Sequence, residues 1–177
     1  MKILLENIFN SSNHFLLQIL DCTSIYTREF SQLVENNYPG TTPYVFRKQI
    51  AMGYNIATLE SRSIPGSVFI METQDGTKGI INVFGRYCPI NTFNTFSYEL
   101  AKEAGIKDDD DESQQLYFQE ALNSLEDYFF GCKKRIVIDV SKSNFQNKSW
   151  NYFLKHLENF ENRMVKNNYD FEFFIFP

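Results

Sequence analysis

The run KRIVIDVSKSNFQNKSWNYFLKHLENFENRMVKNNYDFEFFIF, residues Lys134–Phe176, sets two short apolar segments on either side of a helical one. Lys134–Val140 (KRIVIDV) is dense in β-branched residues and reads as a buried strand. Trp150, Phe153, Leu154, Leu157, Phe160 and Met164 then recur at helical spacing, which predicts an amphipathic helix. Phe171–Phe176 (FEFFIF) reads as a closing strand. Strand, helix, strand in this order is the βαβ unit. It requires parallel strands with a helix laid over the sheet.

The same pattern extends upstream. Phe118, Ala121, Leu122, Leu125 and Phe129 form an apolar stripe, predicting a helix from Ser113 to Phe130 that Gly131 ends. Before it lies a long connection, residues 87–112, closing on Asp108-Asp109-Asp110-Asp111-Glu112. That run lacks the alternating ligands and turn glycine of a calcium loop. Acids there instead favour the positive end of the helix that follows. Ser67–Glu72 and Gly79–Phe84 read as two strands of a hairpin around Gln74-Asp75-Gly76-Thr77, and Pro65-Gly66 turns the chain into it. Residues Thr41–Pro65 read as irregular. Thr27–Asn37 reads as a helix stopped by Tyr38-Pro39-Gly40. His14–Cys22 reads as a buried strand, and Lys2–Ile8 as a short first one.

These elements predict an α/β fold, a three-layer α/β/α arrangement with a mixed central sheet, in a single domain spanning residues 1–177. The length suits one domain. Hydrophobic residues make up 43% of the chain, with 18 Phe and 10 Tyr, enough for a substantial core. The net charge of −5 gives no overall attraction to phosphate backbones, so nucleic acid is not an expected partner. Lys133, Lys134 and Arg135 read as the solvated approach to a strand. Cys22, Cys88 and Cys132 are odd in number and widely spaced, which indicates neither a zinc site nor a disulfide framework. No run is apolar and long enough for a signal segment or a membrane span. An intracellular, cytoplasmic setting is expected, with no metal or cofactor. Heavy use of Asn, Lys, Phe, Tyr and Ile suggests an AT-rich coding genome.

Five phrases, taken in order, resemble the macro domain, the ADP-ribose-binding α/β module, and especially its ADP-ribose-phosphatase-like variants. They are YPG at Tyr38–Gly40, IPGSVFI at Ile64–Ile70, IINVFGRY at Ile80–Tyr87, the Ser113–Phe130 helix, and RIVIDV followed by a polar loop and Trp150. The resemblance implies a ligand cleft between two loops. Glycines in such loops let backbone N–H groups approach a diphosphate closely. Here the first loop reads Cys22-Thr23-Ser24-Ile25-Tyr26-Thr27 and the second Ser141-Lys142-Ser143-Asn144-Phe145-Gln146-Asn147-Lys148-Ser149, neither with a glycine. The family's adenine-binding acid would fall near Asn7.

Two expectations follow. One is a degenerate, non-catalytic macro-like module, of viral origin in one version. It would act in protein interaction or in assembly of a larger complex or viral particle. The alternative is a module that still binds ADP-ribose or a related nucleotide, with hydrolysis of ADP-ribose phosphoesters. Asn7, Asp21, Ser24, Ser141 and Asn144 would then supply the polar groups. Asp21 would be the catalytic candidate, since a carboxylate at a strand end can orient water.

Overall fold

The computed structural model describes residues 1–25, 29–87, 99, 102–103, 105–106, 109–142 and 150–177. Six strands form one sheet: β1 (Lys2–Ile3), β2 (Phe15–Asp21), β3 (Val68–Glu72), β4 (Gly79–Arg86), β5 (Ile136–Ser141) and β6 (Phe171–Phe176). Their order is β1-β6-β5-β2-β4-β3. All neighbours run parallel except β3, which pairs antiparallel with β4 as the predicted hairpin. The α-helices that pack on the sheet are α1 (Glu29–Asn37), α2 (Asp111–Tyr128) and α3 (Trp150–Lys166). The mixed sheet and its helical layers agree with the sequence reading.

Alternation along the strands splits the core in two. Leu17, Ile19, Ile81, Val83, Ile136, Ile138, Val140, Phe171, Phe173 and Ile175 point to one face. There they meet Phe118, Leu122 and Leu125 of α2 and Phe153, Leu157 and Phe160 of α3. Phe118 and Phe153 meet edge to face at 4.8 Å. The other face is smaller. Leu16, Ile80 and Phe176 pack under Phe30 and Val34 of α1 and under Ile8.

The second face also carries polar groups. Gln18 and Asn82 are fully buried and hydrogen-bonded at 2.7 Å. The Asn82 amide donates further to the carbonyls of Thr41 and Phe69, each at 3.0 Å. Asp139, next to last in KRIVIDV, is fully buried. It takes a 2.8 Å bond from Asn13 Nδ2 and an ion pair from Lys78 Nζ at 3.5 Å. Burial pushes the Asp139 carboxyl up, against the hydrogen bonds of Asn13 and Ser11 and the Lys78 charge. Burial likewise lowers Lys78, against the attraction of Asp139.

Element ends follow local chemistry. Asp110 caps α2 by accepting from Ser113 N at 2.7 Å, with Asp111 and Glu112 in the first turn. The helix therefore begins two residues before the predicted Ser113. Asp109 is not simply solvated, since its carboxylate accepts from the backbone of Tyr87 at the end of β4. Gly66 turns into β3 at φ +75°, and a Cβ there would lie 2.4 Å from the Glu120 carboxylate of α2. One expectation fails. The first strand stops at Ile3, because only Lys2 and Ile3 pair with Phe174 and Ile175. Ile8–Asn10 is instead a 3-10 turn, which Asn7 caps by accepting from Phe9 N at 3.0 Å.

Candidate functional site

Parallel α/β sheets bind ligands where chain connections diverge at the carboxyl ends of the strands. Here that point lies between β2 and β5. The chain leaves β2 toward the β4–β3 edge and leaves β5 toward the β6–β1 edge. The first loop starts at Asp21, where a register shift between Ile19 and Asp21 breaks the regular pairing with β4.

Asp21 is buried, and its carboxylate turns back onto its own loop. Oδ1 accepts from the backbone N–H of Thr23 at 3.0 Å and of Ser24 at 2.5 Å. The next N–H, of Ile25, donates to Asn55 Oδ1 at 2.8 Å. The one before, of Cys22, donates to the carbonyls of Arg86 and Tyr87. Four successive loop N–H groups, 22 through 25, thus have partners inside the protein. A side-chain carboxylate occupies the position where a run of backbone N–H groups would meet an external anion.

Arg47 closes the loop from the other side. Its side chain is 2% exposed and reaches in from the irregular segment that follows α1. Nη2 donates to the Asp21 carbonyl at 2.7 Å and to Ser63 Oγ at 2.8 Å, and Nη1 donates to the Ser24 carbonyl. The guanidinium lies 4.7 Å from the Tyr44 ring centroid and 5.7 Å from that of Phe84. Nη1 is 3.9 Å from Asp21 Oδ1. Two backbone bonds, Ala57 N to Thr23 O at 2.7 Å and Ser63 N to Cys22 O at 3.2 Å, complete the tie. The loop is held by a segment 23 or more residues downstream in sequence.

Of the residues singled out from the sequence, Asp21 and Ser24 come together here. Ser141 does not join them. It follows the Leu17–Val140 pair, so it stands level with Gln18, about 10 Å down the sheet from Asp21. Its hydroxyl donates to the Pro177 carbonyl at 3.4 Å. Asn7 is exposed in the turn after β1, capping the 3-10 turn whose Ile8 packs on Leu16 near the start of β2, the end opposite Asp21. Asn144 lies outside the described residues, as do Tyr26, Cys88 and the other loop residues from 143 to 149. Arg47 and Asn55 carried no signal in the sequence, since their partners are distant along the chain. His14 and Cys22 stand at opposite ends of β2 and form no pair. Among the described residues no three His, Cys, Asp or Glu side chains gather as a metal site. No helix among them is long and apolar enough to cross a membrane.

Two solved structures are similar along their full length. The macrodomain of Mycobacterium tuberculosis DarG covers 99% of this chain and 97% of its own, with a TM-score of 0.60. The fold is a macrodomain fold. The macrodomain of Thermus aquaticus DarG gives the same coverage and TM-score. Identities are 13% and 10%, so the likeness concerns the fold alone. No family model and no curated protein matches the sequence.

Proposed function

We propose that this chain is a single-domain, non-catalytic macro-fold module that acts through contact with other proteins, in an intracellular complex or an assembled particle. The observation that carries this reading is the internal bonding of the described part of the first loop, residues 22–25. Asp21 and Asn55 use the N–H groups of residues 23 through 25, and Arg47 takes the carbonyls on either side. A diphosphate entering here would have to displace a buried carboxylate and meet its charge. That costs more than an empty glycine loop would ask. The segment that closes the loop also exposes Val45, Phe46, Met52, Leu59 and Ile64. Large apolar side chains gathered on one segment are the usual raw material of a protein interface.

The alternative, retained ADP-ribose binding with Asp21 as a hydrolytic carboxylate, is favoured by the divergence of the chain between β2 and β5. Calorimetric titration with ADP-ribose, followed by an assay of phosphate release from ADP-ribose 1″-phosphate, separates the two. The filled loop predicts no heat at millimolar ligand and no turnover. Micromolar binding, or any turnover abolished by Asp21→Ala, overturns the non-catalytic reading.

A further inference from the structure

Away from the strand ends, the outer surface of α2 and α3 encloses a groove of about 320 Å³. That is near the lower limit for small-molecule sites. Its lining is chemically one-sided. Lys155 and Arg163 bring two cations, His156 an imidazole, and Asn159, Gln119 and Tyr152 neutral polar groups. No carboxylate lines it, although the chain carries a net charge of −5. Arg163 is anchored from outside the groove. Its Nε meets Glu126 at 3.2 Å and its Nη2 meets Asn123 at 3.1 Å, while Nη1 has no hydrogen-bond partner among the described residues. The His156 ring is fixed between Tyr152, 4.5 Å centroid to centroid, and the edge of Phe118 at 6.3 Å.

We propose that this groove is a binding site for a small phosphate compound carrying at least two negative charges. Multiple donors around a concave surface suit an oxyanion, and the two cations give the groove a locally positive lining. A rigid imidazole between two fixed aromatic rings presents its donor without a large ordering cost. The site is independent of the β2 loop and of whichever reading of that loop holds.

Burial, then Lys155, then Arg163 lower the His156 pKa. The charged groups that face it are these two cations of α3. From α2 the lining residue Gln119 is neutral, and Glu126 is engaged by Arg163. An anion in the groove reverses the sign of that field, so binding must raise the His156 pKa and draw in a proton.

The test is a titration of the full chain with inorganic pyrophosphate, followed by the His156 ring resonances in NMR. Sodium chloride at equal ionic strength is the control. The expected result is a saturable shift, a raised His156 pKa at saturation, and affinity about threefold weaker in Lys155→Gln, the weight of one partly solvated charge. Lys155 is exposed, so its substitution leaves the fold intact. Lys133→Gln, an exposed basic position outside the groove, keeps the full response, which separates the groove from basic surface elsewhere. A His156 resonance that ignores pyrophosphate, responds equally to chloride, or responds identically in Lys155→Gln overturns the proposal.

Discussion

The two faces of the sheet are built on different terms. Under α2 and α3 the strands contribute an apolar set, and two aromatic-rich helices cover it. Under α1 the strands interleave Leu16, Ile80 and Phe176 with Gln18, Asn82 and Asp139. The first face is stabilised by area and dispersion, which need only shape. The second depends on particular partners, each of which must be present for the others to be satisfied.

Substitutions can break that contrast. The largest loss is expected for Phe118→Ala, which empties a fully buried ring site against Phe153. Chemical denaturation should show a loss of about 4 kcal/mol. Lys78→Ala should follow at about 3 kcal/mol, because it strands Asp139 without its counter-charge. The double change Lys78→Met with Asp139→Leu should then recover to within about 1 kcal/mol of the parent. A double variant no better than the single one would show that the pair supplies net stability itself, contrary to its burial.

The smallest effect concerns the helix that covers the apolar face. Bonds from Ser113, side chain first and then backbone, hold the Asp110 carboxyl below the ordinary carboxylate range. A depressed folded pKa contributes stability above the unfolded pKa and loses it as the pH falls through the folded one. Thermal melts of Asp110→Ala and the parent should therefore differ most near neutral pH. The gap should narrow below about pH 4, the unfolded carboxylate value, and close in stronger acid. A gap of constant size down to strong acid would show that the cap acts through something other than its charge.

What the sequence disclosed follows the same division. The apolar face was legible because its signal is periodic: Phe118, Ala121, Leu122 and Leu125 all proved buried, as did Phe153, Leu157, Phe160 and Met164. The hairpin and the Gly66 turn were legible from local turn chemistry. The polar face was not. Asp139 sits inside a run that reads as plain strand, and nothing near it names Lys78, which is 61 residues away. The site divides likewise. Asp21 and Ser24 were found because they end a strand, but the direction of the Asp21 carboxylate depends on a backbone turn. Arg47, 26 residues on, is invisible until the chain is folded. Ser141 was placed beside Asp21 by its position at a strand end, and the stagger between β2 and β5 separates them.

Sheet order also bears on the sequence of events during synthesis. β1 is made first yet pairs with β6, which is made last, and β2 lies between β4 and β5. A ribosome releasing this chain from the N-terminus therefore holds β2 with an unpaired side until residues 136–141 emerge. The β3–β4 hairpin is available before that, as the antiparallel strand pair among the described residues. The nascent chain carries an apolar central strand with one side open until β5 exists, so shielding of Phe15–Asp21 is a demand on the cell before it is a property of the protein.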